Sequence, residues 1–340
     1  MVRKKKTFEE EQKEQNRVKI EVFDAIDRET GEMKGRIKSV TGDAIILDPA
    51  VEAEKKAIRE YKNRTARKEP FVQCKKPFDE LVTGYSKLTK ECIVKLMPFI
   101  GYKEDVLKKN GEPLILEDLY KIWGVSHRSA RSILDILIKD GVLVEFDSGE
   151  RNTKHFKATG KIIFKGKNKN NFTQKINTDA LQEFIEKIDS KLKIREEQAA
   201  RYGHKISPIY PLALFGGLIP NFHYLTYLLT KNGSETIIQE RETVHDVLQS
   251  KRKIRRFQFL SNIELWNIYS GQNNKTLNRK KREELNECIE ILLKVGILGR
   301  FTSNGKDLYI INPKLIYSSP GFKCDEEWKK FITTLFKLTK

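Results

Sequence analysis

The chain has 340 residues, of which 39% are hydrophobic and 33% charged, and its formal net charge is +18. This length accommodates two or three domains with their own cores, and no apolar stretch is long enough to span a membrane. Because the N-terminal MVRKKKTFEEE also lacks the apolar segment of a signal peptide, we expect a cytoplasmic protein without a membrane partner. The excess of Lys and Arg favours a polyanionic partner, since neutralising phosphates releases condensed counterions.

The sequence lacks the residue patterns that are typical of metal sites and of enzymes. Its four cysteines show no CxxC or Cys/His spacing, which argues against a zinc site and against a disulfide framework. There is no GxxxxGK[ST] phosphate loop, and the histidines form neither an HxH nor an HExxH motif. We therefore predict a protein that uses no metal or other cofactor and is not an enzyme.

Residues 1–76 form the first predicted region. Residues 1–19 are a charged tail. Strand patterns on either side of a turn signal at residues 27–32 predict a small β-hairpin region, with one or two hairpins, within residues 20–47. Residues 51–68 are polar on almost every side, which predicts a solvated connecting helix.

Residues 77–167 show the pattern of a small helical module that ends in a hairpin. Apolar spacing predicts three helices and two strands, at residues 88–100, 114–123, 126–140, 142–146 and 154–164. Ser126 is the expected N-cap of the third helix, and Gly141 its C-terminal cap. Residues 147–152 form the expected turn between the two strands.

Residues 168–220 are predicted to be a helical linker. They contain a long amphipathic helix at residues 179–202, whose apolar stripe either packs on its own domain or forms the seam of a homodimer. Residues 208–220 are apolar and rich in Pro and Gly, which indicates a packed connection. A second module is expected at residues 221–320, and a C-terminal helix at residues 321–340.

The second module repeats the first. The segment ILDILIKDGVLVEF aligns with CIEILLKVGILGRF, so that Gly141 falls on Gly296, and further on Lys161 falls on Lys314. The second copy has predicted helices at residues 262–269 and 278–295 and a hairpin at residues 298–311. Helix, turn, helix and hairpin in this order are typical of winged helix-turn-helix modules. We therefore expect a mainly helical α+β fold, with two such modules in tandem.

The start of the third helix is the first candidate DNA-binding site, because the recognition helix of such modules enters the major groove. Its outward residues are Ser126, His127, Arg128, Ser129, Arg131 and Ser132. Arg128 and Arg131 lie one turn apart, and arginine there can bind the O6/N7 edge of guanine. No acidic residue occurs from Ser126 to Leu134, which favours this interpretation over that of a solvated helix face.

Further cations are expected to contact phosphates, which adds affinity and salt dependence rather than base specificity. In the first hairpin they are Arg151, Lys154, Lys157 and Lys161. In the second module they are Lys275, Arg279, Lys280, Lys281 and Arg282. Residues 251–256 form one more cationic run. The alternative for the second module is a role in oligomerisation or in binding a partner protein.

Three phrases give the chain a resemblance to winged-helix replication proteins of Gram-positive plasmids and phages. They are ILIKDGVLVEF before a hairpin, YIINPKLIY after one, and DRETGEMKG near the N-terminus. The Asn-Pro pair of this pattern is Asn312-Pro313 in the second module, whereas the first module has Thr159-Gly160. The resemblance implies binding to repeated origin sites and recruitment of host replication proteins.

These observations favour a sequence-specific double-stranded DNA-binding protein that acts as a replication initiator without intrinsic catalysis. Two alternatives remain open at this point. The first is a plasmid or phage transcriptional regulator that binds an operator. The second is a partition or structural adaptor protein whose second module binds a protein.

Overall fold

The protein has a mixed α+β fold with small sheets and divides into two compact units, residues 1–68 and 69–340. The computed structural model describes the backbone of three strands in the first unit. In the second unit it describes residues 71–75, 78, 82, 84–102, 105–147, 153–165, 174–239, 242–317 and 325–338. The predicted tail and the predicted connecting helix at residues 51–68 lie outside the described residues. Within those residues, no helix has both the length and the apolar character to cross a membrane.

The first unit contains a three-stranded antiparallel sheet. Its strands are β1 (Ile20–Ile26), β2 (Met33–Val40) and β3 (Asp43–Leu47), in the order β1-β2-β3. The region predicted to hold one or two hairpins therefore forms two, which share β2.

The second unit begins with strand β4 and helix α1, and its first half ends with three short strands. The elements are β4 (Phe71–Cys74), α1 (Lys87–Leu96), a 3-10 helix (Met97–Phe99), β5 (Lys108–Lys109), β6 (Glu112–Pro113), α2 (Leu116–Trp123), α3 (His127–Lys139), β7 (Leu143–Asp147), β8 (Lys154–Ala158) and β9 (Ile163–Phe164). The single strand predicted at residues 154–164 is wrong. It breaks after β8, where Gly160 has a φ of +71°, and β9 pairs with β4 instead of β7.

The second half of this unit is predominantly helical. Its elements are β10 (Gln174–Asn177), α4 (Thr178–Arg201), α5 (Pro211–Leu218), a 3-10 helix (Ile219–Asn221), α6 (Val244–Gln249), a 3-10 helix (Lys253–Arg256), α7 (Asn262–Ser270), α8 (Arg279–Lys294), β11 (Leu298–Ser303), β12 (Lys306–Ile311), β13 (Ile316–Tyr317) and α9 (Glu326–Leu338). The Pro- and Gly-rich connection contains α5, whose residues are all buried.

The sequence repeat is also a repeat of backbone structure. Gly141 and Gly296 both have a positive φ, +67° and +81°, and end their helices in the same way. In each copy the residue after the glycine donates its N–H to the carbonyl five residues earlier, Val142 to Leu137 (2.8 Å) and Ile297 to Leu292 (3.0 Å). This is the Schellman type of helix ending, which satisfies the last carbonyls of a helix.

Thr159 and Asn312 play the same part in the two copies, although their sequence contexts differ. The Thr159 hydroxyl donates to the carbonyl of Gly141 (2.7 Å), and the Asn312 amide donates to the carbonyl of Gly296 (2.8 Å). Each side chain also accepts the backbone N–H two residues on, from Lys161 and from Lys314. The Asn-Pro pair of the second copy thus has a counterpart of different sequence in the first.

The repeat extends further upstream than the aligned sequence. Helices α1 and α5 are each followed by a 3-10 helix and then by a short antiparallel bridge. Two equivalent backbone hydrogen bonds, each from an N–H to a carbonyl, follow in each copy. In the first copy Gly101 donates to Val106 (2.8 Å) and Leu107 to Phe156 (2.9 Å). In the second copy His223 donates to Leu228 (2.8 Å) and Leu229 to Tyr309 (2.9 Å). Residues 174–220, expected as a linker, therefore contain the strand and the first helix of the second copy.

One four-stranded sheet joins the two copies. Its order is β13-β10-β4-β9, and all three pairings are antiparallel. Gln73 and Lys175 pair with each other at the centre, while Phe164 pairs with Gln73 and Tyr317 with Lys175. Each copy therefore contributes one inner and one outer strand in matching register.

A single hydrophobic core runs through both copies and contains α5. Helix α5 contacts α1 on one side and α7 on the other. The apolar stripe of α4 belongs to this core, with Leu181, Phe184, Ile185 and Ile188 buried. The stripe therefore packs within its own chain, which is the first of the two roles predicted for it.

Lys90 lies fully buried where α1 meets the end of α7. Its Nζ donates to the carbonyl of Ile268 and lies 3.5 Å from that of Tyr269. Burial lowers the pKa of Lys90 from 10.5 to about 8. The ammonium thus bonds carbonyls at the C-terminal end of α7, which lack partners within their own helix.

The pKa of Lys90 predicts a pH dependence of stability. Between about pH 8 and pH 10.5 the unfolded chain binds a proton more tightly than the folded chain, so the free energy of unfolding rises with pH. Lys90→Met removes this contribution. Urea denaturation should therefore show wild type gaining stability over the variant as the pH rises through that range. Parallel pH profiles for the two proteins would contradict the lowered pKa.

Candidate nucleic-acid interface

Helices α2 and α3 are joined by a tight turn that fixes the orientation of α3. Gly124 ends α2 with a φ of +67°, and the Ser126 hydroxyl caps α3 by accepting the N–H of Ser129 (3.2 Å). Trp123 anchors α2 by donating its indole N–H to the carbonyl of Cys92 (3.0 Å). Because Ala130, Ile133, Leu134 and Leu137 are buried, the opposite side of α3 faces solvent.

The predicted contact residues of α3 are not equally available for DNA. Ser126, His127, Arg128, Arg131 and Ser132 are exposed, whereas Ser129 is half-buried. The hydroxyls of Ser126 and Ser129 lie 3.0 Å apart and are engaged in capping the helix. The ring of His127 lies against that of Tyr120, with 5.6 Å between the centroids. Of the exposed candidate residues, Arg128 and Ser132 have side chains that make no hydrogen bond, ion pair or ring contact with any described residue.

Arg131 is paired with two carboxylates, both from residues outside the stretch Ser126 to Leu134 that has no acid. Its Nε lies 3.4 Å from Asp135, and its Nη1 lies 4.0 Å from Glu145 on β7. Asp135 is four residues along the same helix, a spacing visible in the sequence. Glu145 reaches Arg131 only through the fold. Arg128 remains the one arginine of α3 with no ion pair among the described residues.

The cations of the first hairpin lie on its exposed positions. Glu145 forms an ion pair with Lys154 (2.7 Å) as well as with Arg131, which places the hairpin beside α3. Lys157 lies over the ring of Phe146 at 5.9 Å, and the Nζ of Lys161 donates to the carbonyl of Asp140 (2.9 Å). Exposed contacts of this kind contribute little stability, so these lysines can exchange them for phosphates.

The inner side of the first hairpin includes a histidine. His155 is buried, with its Nδ1 3.4 Å from the carbonyl of Leu114, and does not belong to the outer surface of the hairpin. Burial does not alternate strictly along this strand, since His155 and Phe156 are both buried between the exposed Lys154 and Lys157. Arg151 lies outside the described residues.

The second module presents its cations at the start of α8. The Asn278 side chain caps the helix by accepting the N–H of Lys281 (2.9 Å), whose own ammonium is held by Asn274 (2.6 Å). Arg279 forms an ion pair with Glu283 at 2.7 Å. The remaining candidates are exposed and have no ion pair among the described residues, namely Lys275, Lys280 and Arg282.

The two candidate surfaces are fixed relative to one another by polar contacts between the copies. Lys87 of α1 forms an ion pair with Glu284 of α8 (2.6 Å), and Lys95 of α1 with Asp189 of α4 (3.0 Å). Glu284 also accepts the hydroxyl of Tyr269 (2.8 Å). These contacts, the shared sheet and the shared core hold α3 and α8 in one compact unit.

Searches against protein-family models, curated proteins and solved structures give no match for this chain. The candidate interface combines exposed guanidinium and ammonium groups at the starts of two helices with further ammonium groups on a hairpin beside the first of them. In proteins that bind nucleic acids, such groups contact phosphates and the major-groove edges of bases.

Proposed function

We propose that this protein binds double-stranded DNA through two winged helix-turn-helix modules, with α3 and α8 as the recognition helices. The observation that carries the proposal is the repeated unit of helix, turn, helix and hairpin whose second long helix begins with exposed cations in both copies. The net charge of +18 supports the same class of partner.

Within this class, we propose a replication initiator of a plasmid or phage that binds repeated origin sites. Its support is the resemblance of three sequence phrases to such replication proteins, together with the rigid pairing of two modules in one chain. Host replication proteins are the proposed further partners. The proposal assigns the protein no catalytic step and no cofactor.

The test is selection of bound fragments from a random DNA pool and from a pool of source-genome DNA, at a low and a high salt concentration. Specific recognition predicts one motif that persists at high salt, because base contacts are less salt-dependent than phosphate contacts. Tandem copies of the motif would support an initiator, and a single inverted site at a promoter would support a transcriptional regulator instead. Recovery of no motif would contradict sequence-specific binding and favour an adaptor.

A further inference from the structure

The second copy contains a segment that the first copy lacks. Between the short bridge and the helix that follows it, the first copy has only residues 108–115, whereas the second has residues 230–261. The longer segment includes α6 and the 3-10 helix Lys253–Arg256. It carries the cationic run at residues 251–256, which the DNA-binding residues named above do not include.

This segment and α9 form a second hydrophobic core against the β11–β12 hairpin. The core includes Val247, Leu248 and Phe257 from the segment, Ile310 from β12, and Trp328 from α9. On β11, a Cβ at Gly299 would lie 2.8 Å from Leu335 and 3.1 Å from Phe336, so α9 packs closely on the strand. The hairpin of the second copy is therefore held between α9 and the inserted segment. Its exposed cations are Arg300, which lies 3.4 Å from Glu290, and Lys306.

The turn of this hairpin is attached to the end of α6. The Asn304 amide donates to the carbonyl of Leu248 (2.7 Å), and the Ser303 hydroxyl donates to the same carbonyl (3.2 Å). The basic run begins at Lys251, three residues after Leu248 in the sequence. The run is thus located beside the hairpin turn.

The five cations of this run divide into two groups. Lys253 and Arg256 form ion pairs with Glu242 at 3.0 and 2.5 Å, and these contacts lower the pKa of that carboxyl to about 2. The other three are exposed and make no hydrogen bond or ion pair with any described residue, namely Lys251, Arg252 and Arg255. The sequence has no acid from Val247 to Ile263, and Glu242 forms its ion pairs with Lys253 and Arg256 rather than with these three residues.

We propose that Lys251, Arg252 and Arg255 bind the DNA phosphate backbone beside the turn of the second hairpin. The inference rests on the proposed DNA-binding function and deepens it. The hairpin strands of the first copy carry the exposed cations Lys154 and Lys157, and those of the second copy carry Arg300 and Lys306. The inserted segment adds three more cations to the second copy, so the second module would contact phosphates through an element that the first module lacks.

The experiment compares two variants that lose the same charge. One replaces Lys251, Arg252 and Arg255 with Gln, and the control replaces the exposed α4 residues Lys191, Lys193 and Arg201 with Gln. Binding to a random-sequence duplex is measured by fluorescence anisotropy over a range of salt concentrations. Loss of three phosphate contacts should make the slope of log K against log salt shallower by about 2.7, and should weaken binding at least about tenfold at low salt.

The outcomes separate this inference from the proposed function. If the variant at residues 251, 252 and 255 loses slope and the α4 control does not, the inference holds. If both keep the wild-type slope while wild type binds DNA, or if both lose it equally, the inference is overturned and the proposed function stands. If wild type binds no duplex, both fail. Circular dichroism melting of each variant checks that it folds, since neither set of residues holds a structural ion pair among the described residues.

Discussion

Replacing Gly217 with alanine is expected to destabilise the protein by about 2–3 kcal/mol, because the added methyl group overpacks the core. A Cβ at this position would lie 2.6 Å from the Cγ2 of Ile268 and 3.1 Å from its carbonyl oxygen. The side chain of Ile268 can rotate, but its carbonyl belongs to α7 and can move only with that helix. Chemical denaturation at neutral pH measures the change in the free energy of unfolding.

Two further glycines serve as comparisons for Gly217. A Cβ at Gly216 would meet only the side chain of Val94 at close range (2.6 Å), so alanine there should cost less. At the exposed Gly84 a Cβ would have no described atom within 4 Å, and Gly84→Ala should remain within about 0.5 kcal/mol of wild type. A Gly217→Ala protein as stable as the Gly84→Ala protein would disprove the close packing of α5 against α7.

Arg128→Ala is expected to reduce the affinity for a selected DNA site by about ten- to a hundredfold, the effect of losing one bidentate base contact. Arg131→Ala should have the smaller effect, because its guanidinium is already shared with Asp135 and Glu145. The spacing of Arg131 to Asp135 is visible in the sequence, whereas its contact with Glu145 appears only in the fold. Titrations of a selected duplex and of a version with one changed base pair measure both affinity and preference.

Lys139→Ala is the matched control for Arg128→Ala. Lys139 is exposed in the last turn of the same helix, away from the end that is proposed to meet the bases. It should change affinity little and leave the sequence preference intact. If Arg128→Ala also kept both affinity and preference, α3 would not be the recognition helix of the first module.

Local signals made much of the fold predictable. Ser126 and Gly141 mark the ends of α3 in the sequence, and both cap it in the structure. The hairpin expected at residues 298–311 is present, and Ser303 pairs with Lys306 across its turn. The two turn residues, Asn304 and Gly305, have the positive φ that such a turn requires, +49° and +71°. In these places a few adjacent residues determine the backbone, so the sequence is sufficient.

Helix α5 was not predicted, because Gly216 and Gly217 indicated an irregular connection. In the structure these glycines let α5 pack closely against α1 on one side and α7 on the other. The pairing of Arg131 with Glu145 was missed because it joins a helix to a strand across the fold. The common role of Thr159 and Asn312 was hidden because two different side chains make the same hydrogen bond. Each of these features depends on contacts between distant parts of the chain.

The sheet that joins the two copies has the symmetry of a dimer. Its inner strands β4 and β10 pair antiparallel, and each outer strand adds to its own copy's inner strand in the same register. Two separate, identical chains that met edge to edge would form this same arrangement. The protein therefore has the form of a symmetric dimer fused into one polypeptide. Fusion leaves each half free to diverge, and the two halves differ most where residues 230–261 of the second stand in place of residues 108–115 of the first.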